Sequence, residues 1–228
     1  MDKFAFLAAI DWDSTLIQSE IIDEMAGEAG KRKEISKITE LVKQGKLDFE
    51  HALKERCALL AGLKTSDCKK VASRIKATKG AGKLIEFLQS NGFAVVVISG
   101  SLNPCAGLVA SRPEFAGLDC CLFNELELSK GKLTGKVKIL VGNDKGKILK
   151  KLQKSAGVPK SRTISIGDSS GDAALFANSS FSIGFRPNSA ARKSASASII
   201  DGDISKAIPK IAKWLDSQQN FSETKFSG

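Results

Sequence analysis

Phe4-Ala5-Phe6-Leu7-Ala8-Ala9-Ile10 runs without a charge straight into Asp11-Trp12-Asp13-Ser14-Thr15. An apolar segment of strand length closed abruptly by acids and hydroxyls is the pattern of a strand buried on both faces whose carboxyl end reaches a site. The pattern recurs downstream. Phe93–Ile98, rich in valine, ends in Ser99-Gly100-Ser101, and Thr163–Ile166 ends in Gly167-Asp168 with Asp172 just beyond. Phe181–Gly184 and Ser198–Ile200 are further strand-like segments, and the leucines flanking Lys130-Gly131 suggest a β-hairpin. Strands buried on both faces belong to a parallel sheet covered by helices, with ligands at the strands' carboxyl ends. The expected fold class is therefore α/β, a mostly parallel sheet covered by helices on both faces.

The helices are read from a change of period. Ile21, Ile22 and Met25, then Ile35, Ile38, Leu41 and Val42, then Phe49, Leu53, Leu59 and Leu60 fall at helical spacing, so residues 16–77 form a helical block with no strand signal. Asp48 and Thr65 are expected as N-caps and Gly62 as a helix stop. Further helices are expected before Asn91-Gly92, from about Asp144 to Ala156 with Gly157 as its stop, and through Trp214, with a frayed polar tail from Gln218.

Composition narrows the function. The 228 residues carry 35 basic and 25 acidic side chains, a formal charge of +10, but the lysines are dispersed and Tyr is absent. Without basic runs interleaved with stacking aromatics, the charge is better suited to small anions than to nucleic acid. The segment before Asp11 is too short to span a bilayer and lacks a signal peptide's cleavage site. The 5 cysteines are odd in number and form no metal-ligand spacing, so they read as reduced packing thiols. A cytoplasmic protein is expected, with no membrane or nucleic-acid partner.

Chemistry collects at three strand ends. Asp11 and Asp13 alone would serve as a polar loop, but Asp168 and Asp172 at another strand end make an acid cluster that repels itself unless a cation or shared protons compensate. All-oxygen ligation points to Mg²⁺ rather than zinc. Ser99-Gly100-Ser101 is either a strand-to-helix turn with a capping serine or an anion site of hydroxyl and amides. Lys145 follows the candidate caps Asn143 and Asp144 and so falls where a helix dipole disfavours a cation; a phosphate facing that end would remove the conflict, and solvation would also serve. Asp172 in a first helical turn suits the dipole in any case. Carboxylates, a hydroxyl, a lysine and a metal-binding acid are the parts that phosphoryl transfer needs.

Asp11-Trp12-Asp13-Ser14-Thr15, Ser99-Gly100, Lys145 and Gly167-Asp168-Ser169-Ser170-Gly171-Asp172 resemble, in order, the four motifs of the haloacid dehalogenase superfamily. Glu20-Ile21-Ile22-Asp23-Glu24, Ile38-Thr39-Glu40, Gly45–Phe49, Leu53-Lys54-Glu55-Arg56 and the Gly131–Gly135 hairpin are similar to its phosphoserine phosphatase branch, over about residues 5–212. The resemblance implies a Rossmann-like catalytic core of residues 1–15 and 78–228 with a small helical cap, residues 16–77, inserted after the first strand. It implies Mg²⁺-dependent hydrolysis of O-phospho-L-serine, the final step of serine biosynthesis. Asp11 would be the nucleophile that becomes an aspartyl-phosphate, and Asp13 the acid for the leaving oxygen and base for water. Mg²⁺ would be held by Asp11, the Asp13 carbonyl and Asp168, with Thr15 and Asp172 supporting them from behind. Ser99, Gly100 and Lys145 would hold the phosphate, Glu20 the substrate ammonium and Arg56 its carboxylate, with Phe49 closing the cap. Without the full pattern, Glu20 and Arg56 read as exposed helix charges and Phe49 as a core residue.

The sequence departs from the family's motifs at Ser101, commonly glycine, and at Gly171, commonly asparagine. The first is expected to narrow the backbone's approach to phosphate, and the second to remove a side-chain contact. Pro104 and Cys105 have no assigned role. Two alternatives stand beside phosphoserine: another small phosphomonoester such as phosphohomoserine, and a non-catalytic phospho-acceptor, against which the presence of Asp13 argues.

Overall fold

Side chains of β1 (Phe6–Ile10) divide between two apolar clusters, Leu7 and Ala9 on one face, Ala8 and Ile10 on the other. In β2 (Phe93–Asn103), Val95 and Val97 face one cluster and Ala94, Val96 and Ile98 the other. Burial on both faces explains why uncharged runs, not alternation, mark these strands. The computed structural model describes residues 4–223. Its seven-stranded sheet adds β3 (Cys120–Ser129), β4 (Lys132–Lys138), β5 (Thr163–Gly167), β6 (Phe181–Phe185) and β7 (Ala197–Ile199), in the order β4-β3-β2-β1-β5-β6-β7. All neighbours are parallel except β3 and β4, whose hairpin turns at Lys130 (φ 47°) and Gly131 (φ 74°), the left-handed pair that a tight hairpin requires. From β1 the chain builds outward through β2 and β3, then returns to β1's other side for β5, β6 and β7. The switch in direction leaves a crevice at the carboxyl end of β1.

Four helices follow β1 before the first covering helix of the sheet: α1 (Ile21–Glu28), α2 (Arg32–Lys43), α3 (Phe49–Ala58) and α4 (Thr65–Arg74). Their buried side chains, among them Met25, Ile35, Leu53, Cys57 and Val71, join the same apolar cluster as one face of the sheet. Covering helices follow: α5 (Ala81–Ser90), α6 (Cys105–Ala110), α7 (Lys145–Ala156), α8 (Ala173–Ala177), α9 (Ser189–Ser194) and α10 (Ala207–Glu223). None of the described helices is long and apolar enough to cross a membrane. All five cysteines are free, with Cys57, Cys68 and Cys105 buried, in keeping with packing roles.

Local chemistry sets the ends. Asp48 caps α3, its carboxylate accepting from the Glu50 and His51 amides at 3.0 and 3.1 Å, and Gly157 (φ +67°) ends α7. Thr65 does not cap α4 as expected: its hydroxyl donates to the Gly131 carbonyl instead, and the Lys64 amide is taken by Asp67. β1 starts at Phe6 rather than Phe4, because the Ala5 and Phe6 amides both converge on the Gly92 carbonyl. β2 runs on through Ser99–Ser101 to Asn103, and α6 begins only at Cys105 beyond a cis Asn103–Pro104 peptide, so the serines form no strand-to-helix turn. The helix expected to fray at Gln218 continues to Glu223, and residues 224–228 lie outside the described residues.

The hairpin docks on the inserted helices through Gly135, which has φ +87° and whose missing Cβ would lie 3.1 Å from Ala58 Cα. Both the backbone conformation and the close approach exclude larger residues. Gly135→Val is expected to lower stability by about 2–3 kcal/mol, from left-handed strain plus overpacking, read as a fall in thermal midpoint. An unchanged midpoint would show that the hairpin and α3 are not mechanically joined.

Candidate active site

Asp11 ends β1 with its amide bonded to the Ile166 carbonyl of β5 at 2.9 Å, which pins it at the switch point. The chain then makes a tight irregular turn in which Asp13 is extended (φ −63°, ψ 137°) and Ser14 left-handed (φ 57°). Trp12 fixes that turn: fully buried, its ring packs on Phe115 and Phe123 at centroid distances of 4.8 and 5.5 Å. The acids on either side of it both line one cavity of about 740 Å³.

Lys145 is the first residue of α7, behind the Asp144 cap, yet it is not solvated. Its ammonium donates to Asp11 Oδ1 at 2.8 Å and to Asp172 Oδ1 at 2.7 Å. The other oxygen of Asp172 accepts the Asp168 and Ser169 amides at 3.1 Å each and the Ser169 hydroxyl at 3.2 Å. The cation disfavoured by the helix dipole is thus held by carboxylates. Carboxylate oxygens of Asp11, Asp168 and Asp172 lie within 4.8 Å of one another, a grouping that could hold a metal ion.

Crowding and burial show in the acidities. Burial, then the charge of Asp172, pushes the Asp11 carboxyl up to about 6 despite Lys145. Asp168 is pushed to about 8, by burial and by Asp11 and Asp172. Asp13 stands well above the usual carboxylate range, through burial and the neighbouring Glu20 and Asp11. Burial would lower the Lys145 ammonium, but its two carboxylate partners outweigh it and keep it charged.

The inserted helices bring the opposite wall. Glu20 precedes α1 and accepts the Ser14 hydroxyl at 2.8 Å. Arg56 on α3 is only 8% exposed; its guanidinium donates to the Ala52 carbonyl at 3.3 Å and the Thr39 hydroxyl at 3.4 Å. Among the described residues no carboxylate lies within 4.0 Å of it. Phe49 stands over Gly100, where an added Cβ would meet the ring at 3.0 Å, so glycine there lets the two walls touch. Ser99, Gly100 and Ser101 line the cavity between them.

The cavity therefore gathers Asp11, Asp13, Glu20, Phe49, Arg56, Ser99, Gly100, Lys145 and Asp168 from far-separated parts of the chain. Asp172 stands behind them, through Lys145. Thr15 is buried away from the lining, and among the described residues its hydroxyl has no hydrogen-bond partner. At Gly171 an added Cβ would approach only Ser169 Oγ, at 3.4 Å, so the space for a side chain is open. One structural residue was missed. Asn124 on β3, fully buried, donates to the Gly100 and Val141 carbonyls at 3.1 Å and accepts the Leu140 and Val141 amides at 2.8 Å. It clamps the Ser99–Ser101 segment to the loop that leads to Lys145. The available signal was an amide following the run Cys120–Phe123 on a strand.

The model of the haloacid dehalogenase-like hydrolase family matches residues 8–177. A phosphoserine phosphatase of Methanocaldococcus jannaschii is 37% identical over 81% of this chain and 87% of its own length. One of Streptococcus thermophilus is 37% identical over 91% and 96%. One of Archaeoglobus fulgidus is 36% identical over 88% of this chain, which spans only 56% of that relative. A solved phospho-aspartyl intermediate analogue of phosphoserine phosphatase superposes with a TM-score of 0.81 at 34% identity, covering 91% of this chain and 99% of that one. A substrate-bound phosphoserine phosphatase complex also gives 0.81, at 33% identity and coverage of 90% and 98%.

Proposed function

The chain belongs to the haloacid dehalogenase-like hydrolases, among relatives that are phosphoserine phosphatases, and from that premise we propose that it hydrolyses O-phospho-L-serine to L-serine and phosphate. The observation that carries the substrate is Arg56. A buried guanidinium with no carboxylate within 4.0 Å among the described residues, facing a cavity that also holds Glu20 and the Asp11–Lys145 pair, suits a ligand bearing carboxylate, ammonium and phosphate together.

In this reading Arg56 takes the substrate carboxylate and Glu20 its ammonium, while Ser99, the Gly100 amide and Lys145 hold phosphoryl oxygens. Asp11 attacks phosphorus, the bond to the serine oxygen breaks, and Asp13 protonates that oxygen. Asp13 then takes a proton from water as the water oxygen displaces Asp11 from phosphorus. Phe49 on Gly100 keeps bulk water out. We read residues 16–77 as the cap and residues 1–15 and 78–228 as the core.

The donor set fits Mg²⁺. It is all oxygen, and three clustered carboxylates face a single lysine; burial, and after it the charges of Asp11 and Asp172, push Asp168 to about 8, and a divalent ion would relieve that crowding of charge. Asp11, the Asp13 carbonyl and Asp168 would hold the ion. Asp172 has both oxygens engaged and supports from behind. When bound, the ion neutralises charge on the phosphoryl group. We place the enzyme in the cytoplasm, at the end of serine biosynthesis.

Phosphate release from L-phosphoserine, with Mg²⁺ or with chelator, beside a panel of phosphate esters that includes phosphohomoserine and an aryl phosphate, tests this reading. Phosphoserine is expected to lead and chelator to abolish turnover. Arg56→Ala is expected to raise the KM for phosphoserine about 10–100-fold, the value of a charged hydrogen bond, and to spare the aryl phosphate. Equal losses on both substrates would overturn the assignment of Arg56, and preference for another ester the assignment of substrate.

A further inference from the structure

Ser101 lies where the family commonly has glycine, and it is 3% exposed at the cavity wall. Its hydroxyl donates to Asp13 Oδ1 at 3.2 Å, across a separation of 88 residues in sequence. The Ile21 amide at the start of α1 donates to the same oxygen at 3.2 Å. Among the described residues nothing donates to the other oxygen, Oδ2. The two oxygens of the proposed acid are therefore unequal: one is tethered from β2 and from α1, and the other accepts neither of these bonds on a side chain that lines the cavity.

We propose that Ser101 is a positioning residue of this chain, which fixes the Asp13 carboxyl so that Oδ2 alone serves the leaving oxygen and the attacking water. The role rests on the phosphatase reading above. It acts through both half-reactions: Oδ2 delivers its proton as the phosphorus–oxygen bond to serine breaks, and Oδ2 collects one as water attacks the aspartyl-phosphate. Ser101 itself is held in place, because its amide donates to Ser99 Oγ at 3.3 Å. A single tether would let the carboxyl turn about its Cβ–Cγ bond, whereas two donors from different elements define its plane.

This role predicts a dependence on the leaving group. Serine is a poor leaving group and needs the proton; a nitrophenolate leaves without it. Single-turnover phosphoryl transfer to the enzyme, measured with Mg²⁺ present by rapid quench, separates the two. In Ser101→Ala the rate with phosphoserine is expected to fall about tenfold and that with p-nitrophenyl phosphate to change less than about twofold, since only the acid's alignment is lost. Ser101→Gly, with the residue that the family commonly carries, guards against a folding defect in the alanine protein and is expected to shift the ratio of the two rates in the same direction. A ratio unchanged in both variants, whether both rates fall together or neither falls, overturns the proposal. A native protein inert toward both esters overturns the phosphatase reading and this role with it.

Discussion

Asp11→Asn is expected to release phosphate from phosphoserine at about 10⁻⁴ of the native rate or less, the usual consequence of removing a nucleophile from a concerted site. The substitution is nearly isosteric, and the amide oxygen can still accept the Lys145 bond that Asp11 Oδ1 accepts at 2.8 Å. Lys145 also keeps its contact with Asp172, so the fold is expected to survive with little change in thermal midpoint. Activity and stability thus separate at this residue. Acid quench of the native enzyme during turnover of ³²P-phosphoserine should leave protein-bound label that alkali or hydroxylamine releases, as an acyl phosphate requires, and the variant should carry none. Label on the variant, or turnover above about a hundredth of the native rate, would remove Asp11 from the nucleophile's role.

The elements that carry the site were legible wherever a strand ends abruptly. Asp11, Ser99 and Asp168 each follow an uncharged run, and burial of both sheet faces makes that run conspicuous. The helical block was legible from period alone, since Met25, Ile35 and Leu53 are buried as a 3.6-residue repeat demands. What escaped depends on register between distant segments. Nothing local tells that Ser101 reaches Asp13, or that Asn124 joins Gly100 to Val141; both follow from how β2 lies between β1 and β3. Thr65 failed as a cap for the same reason, because a partner on the hairpin competes for its hydroxyl. Lys145 was ambiguous between solvent and a buried anion partner, and only the assembled sheet decides that the partners are Asp11 and Asp172.

Lys145→Met is expected to cost stability as well as activity, in contrast to Asp11→Asn. The side chains of Lys145, Asp11 and Asp172 are only 11%, 7% and 0% exposed, so removing the ammonium leaves two carboxylates facing each other out of water. Breaking a buried pair from one side costs about 3–5 kcal/mol, which for a chain of this size lowers the thermal midpoint by about 10 °C. The deficit should depend on pH with a definite sign. Burial and Asp172 hold the Asp11 carboxyl at about 6 in the folded protein against an ordinary 3.8, so the folded state binds that proton more tightly than the unfolded one. A raised carboxyl stabilises most at low pH, and its contribution is lost as pH rises through the folded value. Without Lys145, which lowers Asp11, that value moves up, so the loss still begins near the unfolded value but extends to higher pH and grows larger. Melting curves without added metal should therefore show Lys145→Met closest to the native protein near pH 5 and furthest from it near pH 8. Adding Asp172→Asn to the variant removes one of the stranded charges and should restore part of the midpoint while activity stays low, because the phosphoryl group still lacks its lysine. A variant as stable as the native chain at pH 8 would mean that the ammonium serves only the substrate and that hydrogen bonds from the Asp168 and Ser169 amides suffice for Asp172.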